Sequence, residues 1–221
     1  MAHAENVVSA PEFIHQTPIS ESLAAFARSL SWQDIPAPVV ERAKLHILDA
    51  LGIALAASRY DYSHKTLTAM QGLAGEGPYP VIGMPARLPL RDAAQMNGFL
   101  IHALDFDDTH VAGVIHATCT AVPTLLAMGQ KHDLTGREML IAYLAAVESD
   151  ARIGMAAKGA FHRKGFHPTG VVGAYGAAIA AGRAAGLTQA QLCDAQGIIL
   201  GMASGTLGFL DEGAWNKRLH A

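Results

Sequence analysis

Apolar positions recur with a helical period through most of the chain, and several of these stretches carry almost no charge. Leu23, Phe26, Ala27 and Leu30 form one stripe and predict a first helix over about Ser20 to Leu30. Ile35-Pro-Ala-Pro38 interrupts the pattern. Pro38 suits the first turn of a second helix reaching Ala57, to which Val40, Ala43, Leu48, Leu51 and Leu55 lend apolar material. Asp49 lies inside that run and reads as a capped or paired core carboxylate. Further helices are predicted over Tyr60 to Leu73, Leu90 to Leu104 and Thr118 to Lys131. Another runs from the capping-box pair Thr135 and Glu138 to about Lys158, one covers Thr169 to Ala185, and Thr188 caps one more through Met202. Lys158 to Phe166 reads as a loop, and Val81-Ile82-Gly83 is the only strand-like signal. Gly170, Gly173, Gly176, Ala177, Ala180 and Ala181 would let two helices approach closely. The prediction is an all-α chain, helices packed on helices, with a flexible arm over 1–18 and one helical domain over 19–221.

Composition narrows the function classes. Of 221 residues, 51% are hydrophobic and only 16% charged, which implies extensive burial, a subunit interface, or a missing partner domain. A net charge of -3 offers no footprint for a polyanion, so nucleic acid is excluded as a partner. Cys119 and Cys193 sit in apolar helical stretches without CxxC spacing and read as buried reduced thiols, which suits a cytoplasmic protein. The N-terminus lacks the charged and apolar regions of a signal peptide. The most apolar run, His167 to Gly182, is short for a bilayer, so no membrane segment is expected.

Candidate chemistry concentrates in Asp105-Phe-Asp107-Asp108-Thr109-His110, with His116 close behind. Charged groups beside apolar helices are costly unless paired or used. Neighbouring carboxylates repel, which can raise one pKa toward the range of a general base; Asp and Thr also favour caps and turns. Spacing leaves both readings open. A phosphoryl-transfer DxDxT string would follow a buried strand, whereas this one follows a predicted helix. An EF-hand loop counted from Asp105 would need Gly and Glu where His110 and His116 stand. A second candidate, His162-Arg163-Lys164 through His167 and Thr169, gathers basic groups before a helix N-terminus, a favourable place for an anion, or is a solvated basic loop. Lys217-Arg218-Leu219-His220 taken alone is a charged tail. His3, His15, His46, His64 and His132 show no ligand spacing, and no HExxH, GxGxxG or GxSxG string is present.

Five segments in order carry a resemblance: Leu23-Ala-Ala-Phe-Ala-Arg28, Ala43-Lys-Leu-His-Ile-Leu-Asp-Ala-Leu-Gly52, Asn97-Gly-Phe-Leu-Ile-His-Ala-Leu-Asp-Phe-Asp-Asp-Thr-His110, Gly165-Phe-His-Pro-Thr-Gly170 and Lys217-Arg-Leu-His220. Together they resemble the MmgE/PrpD family, which includes 2-methylcitrate dehydratase, cis-aconitate decarboxylase and iminodisuccinate epimerase. The resemblance implies a large all-helical domain, here incomplete, with the family's α+β lid absent. It implies a homodimer, a small carboxylic-acid substrate, and no cofactor or metal. Family active-site positions match Asp105, Thr109, His116, His167 and Lys217. Lys217, His116 and His167 would hold substrate carboxylates and developing charge. One histidine or Asp105 would move the proton, and Thr109 would orient the substrate. The expected reaction is lyase chemistry, first a 2-methylcitrate dehydratase-like hydro-lyase. The alternatives are decarboxylation, epimerisation, or an inactive helical fragment with an interaction role.

Overall fold

The computed structural model describes residues 17–221. The arm expected over 1–18 falls outside the described residues up to position 16, as do His3 and His15. Ten α-helices follow in order: α1 (Ile19–Ser29), α2 (Ala37–Ala57), α3 (Asp61–Ala74), α4 (Leu90–Ile101), α5 (Thr118–His132), α6 (Gly136–Ala156), α7 (Ala160–Arg163), α8 (Pro168–Ala184), α9 (Gln189–Leu200) and α10 (Phe209–Glu212). Short 3-10 turns sit at Trp32–Asp34 and Trp215–His220. The all-α expectation holds.

Local chemistry sets the boundaries. Thr135 Oγ1 accepts the Glu138 amide while the Glu138 carboxylate accepts the Thr135 amide at 2.7 Å, opening α6. Thr188 and Gln191 do the same for α9. Pro168 takes the first position of α8, where its missing N–H costs nothing. α4 stops three residues before the expected Leu104, because the backbone turns at His102 and Asp105 adopts φ +59.

The strand-like signal at Val81–Gly83 is corrected. The strands are its neighbours, β1 (Tyr79–Pro80) and β2 (Arg87–Leu88), paired antiparallel. Residues 81–86 form the connection: Val81 N–H bonds Ala86 O at 3.0 Å, and Gly83 takes φ +69. The loop expected over Lys158 to Phe166 contains the single turn α7.

Phe99, Leu100 and Ile101 of α4 pack with Cys119 and Leu125 of α5 and Tyr143 of α6 in the main core. α8 packs on α5, α6 and α9. Its glycines permit this approach: a Cβ at Gly173 would come within 2.5 Å of Thr120, and one at Gly176 within 2.1 Å of the buried Asp150 carboxyl. α2 departs from expectation. Leu48, Leu55 and Asp49 all face outward, so Asp49 is not a core carboxylate. The small residues Ala43, Ala50, Ala54 and Ala57 form the buried stripe instead.

Candidate active site

The site grows from the end of α4. After His102 the chain passes through Asp105 in the left-handed region, which Asp tolerates better than most side chains. This turn sends Asp107 inward and leaves Asp105 and Thr109 exposed. A second turn, closed by the antiparallel bridge between His110 and Ile115, brings His116 back over Asp107. The acidic cluster therefore divides. Asp108 Oδ1 accepts the first amide of α5, from Thr118, at 3.1 Å, and His110 Nδ1 accepts the Gly113 amide at 3.0 Å. Those two serve the cap and the turn. Asp105, Asp107, Thr109 and His116 converge.

Two distant segments complete the convergence. The His116 amide donates to Thr169 Oγ1 at 3.1 Å, which ties the loop to the start of α8, where His167 is the N-cap. The C-terminal 3-10 turn delivers Lys217, whose ammonium donates to Asp105 Oδ1. Arg218 anchors that turn by donating to Ala103 O at 2.7 Å and covering the Tyr62 ring. His116 Nε2 stands 3.7 Å from Asp105 Oδ1, and its Nδ1 is 3.5 Å from Thr109 Oγ1 and 3.2 Å from the Asp107 carbonyl.

Beneath these groups, His102 Nδ1 and Asp107 Oδ2 are 2.8 Å apart. His102 Nε2 and Asp107 Oδ1 are buried without a hydrogen-bond partner. The His102 ring stacks on His167 at 5.7 Å between centroids and meets His116 edge-on at 5.0 Å. His167 Nδ1 in turn lies 3.0 Å from His220 Nδ1.

Burial and charge set the protonation states. Burial would raise the Asp105 carboxyl, but the bond to Lys217, its charge and the nearby histidines outweigh it and hold Asp105 below the usual range. Burial holds His102 below the usual histidine range against the pull of Asp107. His167 is lowered to about 3, first by burial and then by the unfavourable proximity of His102, His220, Lys217 and His116. Asp105 is thus a carboxylate at neutral pH, and His167 a neutral ring.

His102, Asp105, Asp107 and His116 each offer a metal-ligating atom, and these atoms lie within 4.8 Å of one another. Asp105 already holds an ammonium, and His102 and Asp107 hold each other through one atom apiece. Lys217 supplies the positive charge that a metal ion would bring, so the set fits an ion poorly. A cavity of about 840 Å³ lies elsewhere, lined by residues of α1, α8 and α9, and none of the cluster borders it.

The structure thus gathers Asp105, Thr109, His116, His167 and Lys217 in one place. It does not bring in the basic residues of the second candidate: His162, Arg163 and Lys164 are exposed, and Arg163 bonds the Lys158 carbonyl of its own loop. Sequence reading passed over His102, which looked like the last turn of an apolar helix, and His220, which looked like tail. A histidine immediately before an acidic cluster was the available signal for the first.

The model of the MmgE/PrpD N-terminal domain matches residues 21–221. A cis-aconitate decarboxylase-like protein, oryM of Aspergillus oryzae, is 30% identical over 92% of this chain and 44% of its own length. Cis-aconitate decarboxylase of Aspergillus terreus is 31% identical over 86% of the chain and 40% of its own length. The human enzyme of the same name is 31% identical over 91% and 43%. The chain spans less than half the length of these relatives.

Proposed function

Because this chain belongs to the MmgE/PrpD family, we propose that it forms the helical side of a lyase pocket for a small di- or tricarboxylic acid. Decarboxylation of a cis-aconitate-like substrate now stands ahead of the 2-methylcitrate dehydration that sequence reading put first, since the relatives are cis-aconitate decarboxylases and related proteins. The observation that carries the reading is the convergence of Asp105, Thr109, His116 and Lys217 above a buried His102–Asp107 pair.

Loss of CO2 from a carbon chain leaves an electron pair that must be stabilised until a proton arrives. Lys217 and the N–H groups of His116 and His167 would hold the substrate carboxylates and that developing charge. Asp105 keeps Lys217 in place and, as a carboxylate, is a base rather than an acid. Thr109 would orient the substrate through its hydroxyl. The test is product analysis by mass with cis-aconitate, 2-methylcitrate and iminodisuccinate. CO2 release from cis-aconitate that disappears in Lys217→Ala supports the reading. Turnover of 2-methylcitrate alone restores dehydration. No turnover of any of the three by a well-folded sample leaves either a pocket half that does not turn over by itself or an inactive helical fragment with an interaction role.

The expected homodimer has its own support in α2. Leu45, Leu48, Gly52 and Leu55 make an outward stripe, with Glu41 at one end and Arg59 at the other. Gly52 costs about 1 kcal/mol relative to alanine in mid-helix, yet a Cβ there would meet nothing among the described residues within 4 Å. A second α2 crossing antiparallel at Gly52 explains the glycine and covers the leucines. Oxidation of Gly52→Cys should then yield a cross-linked dimer, which Leu73→Cys on the exposed face of α3 should not. A monomer at every concentration by light scattering overturns this partner.

A further inference from the structure

His220 occupies a slot made for its ring. A Cβ at Gly170 would stand 3.1 Å from the His220 Cβ and 2.7 Å from the Ser204 carbonyl oxygen. A Cβ at Gly205, where φ is +128, would stand 3.2 Å from His220 Nδ1. Phe209 meets the rings of both His167 and His220 at steep angles, with centroids 5.2 and 5.9 Å away. The His167 amide bonds the Gly205 carbonyl at 3.0 Å, which fixes the backbone on the opposite side. These contacts hold the two Nδ1 atoms 3.0 Å apart, a hydrogen-bond distance.

Two imidazole nitrogens at that distance share one proton. If both carried N–H they would clash, and if neither did, two lone pairs would face each other in a half-buried site. One ring is therefore the Nδ1–H form and the other accepts at Nδ1 and carries its proton on Nε2. Burial keeps both rings from charging readily. His167 Nε2 has no protein partner among the described residues. Facing a carboxylate substrate, a bare lone pair there would repel, whereas an N–H would bind.

We propose that His220 is a positioning residue whose Nδ1–H donates to His167 Nδ1, fixing His167 as the neutral Nε2–H tautomer that offers the substrate a hydrogen bond. The sharing of one proton between the two rings rests on the 3.0 Å contact alone; the choice of His167 as the Nε2–H ring rests on the carboxylic-acid pocket proposed above, although its measurement does not. The ring nitrogens of the ¹⁵N-histidine-labelled chain report it without substrate or turnover, with His167 identified by the signals lost in His167→Gln. The expected spectrum has a bare His167 Nδ1 and a protonated Nε2 at neutral pH. His220→Asn keeps a donor and should preserve that pattern. His220→Asp offers only an acceptor and should flip His167 to Nδ1–H. A wild-type His167 with its proton on Nδ1, or the same His167 spectrum in the Asn and Asp variants, overturns the proposal. A failure of turnover with the tautomer pattern intact counts against the pocket reading alone.

Discussion

His102 and Asp107 lie under the pocket with side chains 0% and 1% exposed, whereas Asp105, two residues from Asp107, keeps 63% of its side chain open. Both carboxylates have a nitrogen partner, but the partnerships differ in kind. Asp107 has lost its water, and His102 is what replaces it. Asp105 keeps much of its water, and Lys217 is a neighbour it could lose without being stranded. On the function proposed above, the buried pair belongs to the fold, and Lys217 with the open Asp105 to the chemistry. Substitutions in the two halves should separate loss of stability from loss of turnover.

The largest effect is expected below. His102→Ala leaves the Asp107 carboxylate buried with only the weak Cys119 thiol and His116 nearby, the latter's Nδ1 3.5 Å from Asp107 Oδ1. Removing one partner of a buried pair costs about 3–5 kcal/mol. Denaturant unfolding should show that loss, and a loss under about 1 kcal/mol would mean that Asp107 finds water and is not a structural group. Lys217→Ala is the counterpart above. Its stability change should stay within about 1 kcal/mol, while turnover falls roughly 10²- to 10³-fold, the usual cost of removing a donor aimed at developing charge. If Lys217→Ala unfolds the chain while His102→Ala does not, the division is reversed.

This division was only partly legible in the sequence. The capping box at Thr135 and the cap at Thr188 were readable because such a signal is local, four residues long. The close packing of α8 was readable from its glycines. Lys217 meets Asp105 across 112 residues, and nothing in the spacing of either segment announces that contact. Only the order of motifs along the chain suggested it. His102 escaped because a helical period says that a residue is on a helix but not what it meets. The same limit misplaced Leu48, Leu55 and Asp49: α2 is apolar on nearly every side, so its period does not say which side is buried. At Val81 and Ile82 β-branched residues suggested a strand, but Gly83 and the Val81–Ala86 bond make a turn there.

Acid should also tell the halves apart. Burial is the chief cause of the lowered pKa of both His102 and His167, and His167 reaches about 3. In the unfolded chain each takes a proton near pH 6.5, so below about that pH the unfolded state holds more protons and stability falls as pH falls. Each ring contributes up to about 1.4 kcal/mol per pH unit until its folded pKa is reached. Asp105 is lowered instead by Lys217 and the histidines against the effect of burial, so its contribution is lost only as pH falls below about 4. Unfolding measured from about pH 7 down to about pH 5 should therefore report the buried rings and His220, offset by the buried Asp150, whose raised carboxyl acts in the opposite sense, and not Asp105. His167→Asn should flatten the decline by one ring's share, and an unchanged slope would assign the proton uptake to other groups.

The smallest effect is expected at Thr109, and it tests whether the open half is more than its charges. Its hydroxyl lies 3.3 Å from the Asp107 carbonyl and 3.5 Å from His116 Nδ1, and the residue is exposed. Neither contact is short enough to hold the loop, which is already pinned by the bond from the His116 amide to Thr169. Thr109→Val keeps the shape of the side chain and removes the hydroxyl, so stability should change by no more than about 0.5 kcal/mol. A single hydrogen bond to bound substrate is worth about 0.5–1.5 kcal/mol, so turnover should fall roughly two- to tenfold. Thr109→Ser should restore most of it. If Thr109→Val turns over at the wild-type rate, the hydroxyl does not touch substrate, and orientation rests on His116 and Lys217. If Thr109→Val destabilises as much as His102→Ala, Thr109 belongs with the buried half despite its exposure.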